Sequence, residues 1–413
     1  FRPEQKEAIK KTIARYKHDT KMLWNAKMRF GKTLTALEVA KQMGFKRTII
    51  ITHRPVVSDG WFEDFGKIFY DKPDYFFGSK TKGKTISDLL KHDNKFVYFA
   101  SMQDLRGSDK VGGNFDKNDD VFKTDWDFVV VDEAQEGTKT ELGKNVLQAV
   151  IKEDKNNVYK TYVLELSGTP FNLLTDFEQE SIYTWDYIME QEAKTTWDKY
   201  HFGDSNPYEE LPRMNIFTYH LEKSLPVYID VMDKAFNFRE FFRLWTGDVK
   251  KDGRPIPKGV SKGDFVHEQD IKSFLDLICK KDETTNYPFS TSEYRNFFRH
   301  SLWVVPGVRE AKALSALLKN HHIFKNFTIV NVAGDGDEEI DTTDALKAVK
   351  KAMTDNPDTT YTITLSCGRL TTGVSIPEWT AVLMLAGTYS TAASQYLQTI
   401  FRVQTPANIN GKI

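Results

Sequence analysis

Between residues 1 and 175, short apolar runs alternate with stretches whose apolar positions recur at helical spacing. PEQKEAIKKTIARY and TLTALEVAKQM have the period of amphipathic helices, whereas KMLWNAKM, KRTIIITH, KFVYFAS, DFVVVDEA and TYVLELSGTP are continuous apolar or β-branched runs. A strand buried on both faces of a parallel sheet reads this way, and strands alternating with helices predict a doubly wound α/β sheet. From 176 to 298 the rhythm changes. ESIYTWDYIMEQEAKTTWDKY and FNFREFFRLW are aromatic-rich and read as helices, and VKKDGRPIPKGVSKGDF reads as a Gly/Pro/Lys loop. The α/β rhythm returns in SLWVVPG, REAKALSALLKN, FTIVNVAG, DALKAVKKAM, TYTITLSCG, AVLMLAG and TAASQYLQTIFRV. The predicted organisation is one α/β block over 1–175, a mainly helical insertion or bridging region over 176–298, and a second α/β block over 299–413.

Each strand-like run ends in small or polar residues, and in open parallel sheets ligands sit beyond the carboxyl ends of the strands. AKMRFGKTLTAL, residues 26 to 37, joins such a strand to a helix. A loop of this kind grips phosphate through backbone N–H groups and a helix N-terminus. Gly31 allows close backbone approach, Lys32 would reach the outer phosphates, and the Thr33 hydroxyl would ligate Mg²⁺. Met28, Arg29 and Phe30 line the loop, and Ala26 stands where the first glycine is usual. About a hundred residues on, FVVVDEAQ puts Asp132 and Glu133 just past a strand. Asp132 suits a magnesium ion and Glu133 an attacking water, whereas an isolated acidic pair would be a solvated turn.

Composition narrows the partners. The chain of 413 residues has 57 Lys plus Arg against 58 Asp plus Glu, so a nucleic-acid path must be a local groove and not a general basic surface. Cys279 and Cys367 are the only cysteines, too few for a disulfide framework and without metal-ligand spacing, which fits a reducing cytoplasm. No apolar run suits a membrane span. A first residue Phe1 and a last motif close to residue 413 suggest a fragment of a longer protein.

The order phosphate loop, DEAQ, SGTP, TTGVSIP, QTIFR resembles superfamily 2 helicases and translocases, in particular the DExH-type motor subunits of type I and type III restriction-modification systems. The resemblance implies two RecA-like parallel-sheet lobes with ATP and Mg²⁺ held between them. It gives Gln5, supported by Arg2, an adenine contact, and it gives Ser167 and Thr169, with Gln135, the coupling of ATP state to movement. Gln398 and Arg402 match its last motif, with Arg402 as the arginine finger. Phe401 replaces a glycine there and Thr405 a second arginine, for which Arg369 is a candidate substitute. Thr52, His53 and Arg54, then Ser101 and Gln103, then Thr371 and Thr372 correspond to strand-backbone contacts, and Gly373 serves both ligands. The aromatics Trp185, Trp197, Trp245 and Phe236 to Phe242 read as packing, and the lysines between Lys250 and Lys262 as solvated.

The implied activity is an ATP-dependent translocase or helicase, the motor of a restriction or phage-defence system acting on DNA, duplex or single-stranded. Nuclease, methyltransferase or specificity parts are expected outside this chain. An RNA helicase or RNA-sensing ATPase, and a nucleic-acid scaffold switched slowly by ATP, remain alternatives.

Overall fold

The computed structural model of the chain describes residues 1–53, 58–91, 94–137, 140–152, 160–219, 229–230, 235–248, 259–282, 284, 286–334, 342–371, 374–386 and 393–407. The residues divide into two compact units, Phe1–Glu209 and Glu210–Ile413.

The first unit is built on strands β1 (Lys21–Ala26), β2 (Arg47–Thr52), β3 (Tyr75–Ser79), β4 (Lys95–Ser101), β5 (Phe128–Asp132), β6 (Tyr162–Ser167) and β7 (Ile182–Trp185). They form one sheet in the order β3-β4-β2-β5-β6-β1-β7, parallel at every pairing. The sheet's helices include α1 (Pro3–Arg15), α2 (Lys32–Met43), α3 (Ser58–Ile68), α4 (Ile86–Leu90) and α5 (Met102–Arg106). The central strands are the β-branched runs. Ile49, Ile50 and Ile51 of β2 and Val129, Val130 and Val131 of β5 are all buried, because apolar side chains on both faces find a covering layer.

The segment 176–298 is shared between the units. Its first part gives β7, the edge strand beside β1, and then α6 (Tyr187–Tyr200) in the first unit. The tyrosines and tryptophans that read as one helix thus begin with a strand; Tyr183 and Trp185 alternate inward and are buried. Its last part packs on the second unit. Phe241 and Phe242, with Ile271, Phe274 and Ile278 of α7 (Glu268–Cys279), share a core with Trp303 and Leu314. Trp185, Trp197 and Trp245 are all buried, as packing residues are.

The second unit holds a two-stranded antiparallel pair, β8 (Ile229–Asp230) and β9 (Ala235–Phe236), and a parallel sheet of β10 (His300–Val304), β11 (Thr328–Asn331), β12 (Thr362–Ser366) and β13 (Ala381–Met384) in the order β11-β12-β10-β13. Helices α8 (Val308–Asn320), α9 (Thr342–Met353) and α10 (Ala393–Ile400) accompany it. All five residues of β10 and of β12 are buried.

Candidate nucleotide and nucleic-acid site

Strand order sorts the candidate residues of the first unit. Because every pairing is parallel, all the motif-bearing loops leave from one edge of the sheet. The ends of β5, β6 and β1 carry the nucleotide candidates, and the ends of β4 and β2 carry the nucleic-acid candidates.

The phosphate loop leaves β1 and enters α2 through Gly31, whose φ is 85°. A Cβ there would lie 2.6 Å from the Gln5 Nε2, so a side chain would meet both backbone strain and a steric block. Arg29 also takes a positive φ, 73°. No side chain caps α2 at Gly31, and Thr33 lies half-buried in its first turn. The Lys32 ammonium donates to the Ala26 carbonyl at 2.9 Å and reaches the Lys27 carbonyl at 3.5 Å.

Arg2 and Gln5 brace this loop from α1. The Arg2 guanidinium donates to the carbonyls of Arg29 at 2.8 Å and Phe30 at 3.0 Å, and also to Glu4 at 2.6 Å. The Gln5 amide donates to the Phe30 carbonyl at 2.7 Å, and its oxygen accepts from the Arg2 N–H at 2.8 Å. One amide hydrogen of Gln5 is thus spent on loop geometry. A second brace escaped the sequence reading. Lys27, inside the loop, pairs with Glu190 of α6 at 2.5 Å, and the two side chains are 4% and 1% exposed. Burial pulls the Lys27 ammonium below its usual range, and Glu190 opposes that. Nothing in MEQEA marks Glu190 as buried, because α6 is recognisable only as an amphipathic surface helix.

Opposite the loop, the Asp132 carboxyl is pushed up to about 6 by burial and then by its neighbour Glu133, against the pull of Lys32. It accepts from the Glu133 N–H at 3.1 Å and, at 3.4 Å, from the Trp61 indole, a contact no local motif announces. Glu133 sits at φ 51° and accepts from the Gln135 amide at 2.7 Å. Gly168 is close to both loop and lysine: a Cβ there would lie 3.6 Å from the Ala26 carbonyl and 3.8 Å from the Lys32 Nζ. Ser167 accepts from the Thr169 N–H at 3.0 Å, both residues are buried, and Asn172 donates to the Gln135 carbonyl at 3.4 Å. The segment from Gly168 to Asn172 therefore runs close beside the phosphate loop and reaches Gln135, two residues after the acidic pair.

These residues suit a magnesium-bound triphosphate. The Lys32 ammonium rests on carbonyls that phosphate oxygens replace well, and a dication would offset the burial of the Asp132 carboxyl and the charge of Glu133 beside it.

Thr52 is buried at the end of β2, with His53 half-buried after it; Arg54 lies outside the described residues. The Ser101 hydroxyl caps α5, accepting from the Asp104 N–H at 3.1 Å, and Gln103 on the next turn is exposed.

In the second unit Gln398 and Arg402 are buried. The Arg402 Nε donates to the carbonyls of Thr371 at 2.9 Å and Gln398 at 3.2 Å, and its terminal nitrogen donates to Val374. The expected finger thus holds Thr371 and Val374 of the TTGVSIP motif. The Thr371 hydroxyl, 3% exposed, donates to the Gly368 carbonyl at 2.6 Å. Thr372 and Gly373 lie outside the described residues, as do 249–258 of the lysine loop. Arg369 donates to the Val332 carbonyl at 3.0 Å.

Elsewhere Asp276, His321 and His322 bring three ligand atoms within 4.8 Å of one another. The His321 Nδ1 accepts from the N–H groups of Ile323 at 3.2 Å and Phe324 at 3.4 Å, which leaves the proton on Nε2 toward Asp276. A metal at Nε2 would need the opposite tautomer. No helix among the described residues is long and apolar enough to cross a membrane.

Residues 1–172 match the family model described as "Type III restriction enzyme, res subunit". That stretch of the chain is a ResIII domain, of the superfamily 2 helicase type. Among curated proteins, the chain is 28% identical over 443 aligned positions to the "Putative type II restriction enzyme and methyltransferase RM.MpnORF110P C-terminus" of Mycoplasma pneumoniae, covering 94% of this chain and 58% of the relative. Among solved structures, the "ATP-dependent Type ISP restriction-modification enzyme LlaBIII bound to DNA" superposes with a TM-score of 0.56 at 14% identity, over 98% of this chain and 27% of that one. At that identity the likeness is one of fold. The chain spans little more than half of the curated relative's length.

Proposed function

We propose that this chain is the ATP-dependent motor of a restriction system, a translocase or helicase that tracks double-stranded DNA. The observation that carries the reading is the gathering of Lys32, Thr33, Asp132 and Glu133 at one edge of one sheet, with Lys32 near enough to act on the Asp132 carboxyl. Lys32 exchanges its carbonyl partners for the outer phosphates, and the first turn of α2 offers N–H groups to them. Magnesium, held by Thr33 and Asp132, would supply charge neutralisation at the phosphates. Glu133 orients the attacking water and takes its proton. Gln398 and Arg402 complete hydrolysis from the second unit, with Arg402 exchanging the carbonyls of Thr371 and Val374 for the transferring phosphate. Gln5 contacts adenine with the amide hydrogen not given to Phe30. Thr52, His53, Arg54, Ser101, Gln103, Thr371 and Thr372 touch the nucleic-acid backbone, and Gly373 both ligands.

The relatives, one a putative restriction enzyme and methyltransferase and the other a restriction-modification enzyme bound to DNA, support DNA as the track and further catalytic parts beyond this chain. They also suit a cytoplasmic setting. In this reading 176–298 bridges two motor lobes, 1–175 and 299–413. A slow ATP-driven switch is the second reading, favoured by the burial of Arg402 against the carbonyls of Thr371 and Val374 and by Thr405 in place of a second arginine.

The test is ATP turnover with single-stranded DNA, duplex DNA, RNA and no nucleic acid, beside Lys32→Ala. Stimulation by duplex DNA, lost in Lys32→Ala, is expected. Stimulation by RNA alone would transfer the reading to RNA, and bound but unhydrolysed ATP would favour the switch.

A further inference from the structure

The turn after β3 reads KTKGK at 80–84, three lysines with no acid among them, and every residue of it is exposed. The strand pairing locates it. Ser79 of β3 stands beside Phe99 of β4, and Thr52 of β2 beside Ser101 of β4. The turn therefore lies at the same edge as the two candidate backbone contacts, two strand spacings or about 10 Å beyond β2. One side chain links it to Ser101 through Asp104. The Lys80 ammonium is 3.2 Å from the Asp104 carboxylate, and the Asp104 N–H is the one Ser101 caps. Lys117 reaches the same carboxylate at 2.7 Å.

The turn is held rigidly. Ser79 N–H donates to the Lys82 carbonyl at 2.8 Å, and Lys84 N–H to the Phe77 carbonyl at 3.2 Å. The Ser79 hydroxyl accepts from Lys82 N–H at 2.9 Å, and Gly83 has a φ of 79°. The Lys82 ammonium lies 4.7 Å above the Phe62 ring and that of Lys84 3.7 Å above Phe76. The aromatic faces hold the two ammonium groups in place by cation–π attraction, while both lysines remain exposed. Lysines positioned before binding lose less entropy when they take up a ligand. The exposed pair to Asp104 is weak, so Lys80 can exchange it for a phosphate at small cost.

From this geometry we propose that the turn 80–84 is a further contact for the phosphodiester backbone of nucleic acid, extending the line of Thr52 and Ser101 to the edge of the sheet. Ammonium groups recognise phosphate as point charges, without regard to sequence, and a row of them suits a polymer of phosphates more than a single ester. The inference rests on the nucleic-acid reading above.

The test is binding of labelled duplex DNA by the full chain against salt, for the unaltered protein, Lys82→Ala/Lys84→Ala and a control, Lys67→Ala/Lys91→Ala. Of the control lysines, Lys67 lies in the last turn of α3, which precedes β3, and Lys91 directly follows α4, which precedes β4. Two lost phosphate contacts should lower the log–log salt slope by about 1.8 and weaken binding at low salt several-fold. Melting temperature and ATP turnover without nucleic acid should be unchanged, and the control slope should equal that of the unaltered protein. An unchanged slope in Lys82→Ala/Lys84→Ala, with the unaltered protein binding normally, overturns this inference and leaves the motor reading standing. Absence of binding to DNA by the unaltered protein overturns both.

Discussion

The ion pair between Lys27 and Glu190 offers a quantitative test of how the phosphate loop is held. Its atoms are 2.5 Å apart and its side chains 4% and 1% exposed, so water screens neither charge. Replacing Lys27 by methionine leaves the Glu190 carboxylate buried without a counter-charge, which costs about 3–5 kcal/mol. In a unit of this size 1 kcal/mol moves the melting temperature by about 2–4 °C, so a fall of about 6–20 °C is expected. Glu190→Leu should fall less, because burial already lowers the Lys27 ammonium and the lysine can shed its proton. The double replacement Lys27→Met/Glu190→Leu removes both charges and keeps apolar volume, and it should regain most of the loss. Scanning calorimetry on the four proteins completes a double-mutant cycle. A double variant whose loss equals the sum of the two single losses would refute the argument, since it would mean that the charges do not interact. If the recovered double variant binds ATP more weakly, the pair also seats the carbonyls of Ala26 and Lys27 on which Lys32 rests.

Four further outcomes are expected. Lys32→Ala should lower ATP turnover by about 10²–10³-fold, read by phosphate release, because it removes a charge aimed at the phosphates. Glu133→Gln should bind a fluorescent ATP analogue normally while turnover falls about 10²–10⁴-fold. Arg402→Ala should lose turnover and also about 1–3 kcal/mol of stability in a denaturant melt, because it removes the guanidinium that donates to the carbonyls of Thr371 and Gln398 inside the fold; a stability loss without a turnover loss would make Arg402 a brace only. Asp132, held up at about 6, binds a cation only when ionised, so calorimetric Mg²⁺ affinity should be steady above that pH and fall toward tenfold per unit below it. In Asp132→Asn that dependence should vanish.

The strands most readable in the sequence were those buried on both faces, because a strand with no wet side has no alternation to obscure it. Thus β2, β4, β5 and β6 stand out as apolar runs, and so do β10 and β12. Strand β3 is five residues of mixed burial, Tyr75–Ser79, and its aromatic DYFFGS carries no clear period. Strand β7 was hidden inside an aromatic stretch because IYTW is compatible with either a helix or an edge strand. The nucleotide residues were legible for a different reason. A phosphate loop and the acidic turn after a strand are local chemistry, written in consecutive residues.

What the sequence by itself determined was the alternation of elements and the identity of the groups for gripping phosphate. What only the tertiary structure decided was adjacency. The order β3-β4-β2-β5-β6-β1-β7 sets a lysine turn beside Ser101, a glutamate from α6 against a lysine of the phosphate loop, and the Trp61 indole on Asp132. In the second unit the fold turned Arg402 inward onto the carbonyls of Thr371 and Val374, and Thr371 onto that of Gly368. Burial and pairing of charge depend on which surfaces meet, and a one-dimensional pattern records which faces are apolar but not which of them come together.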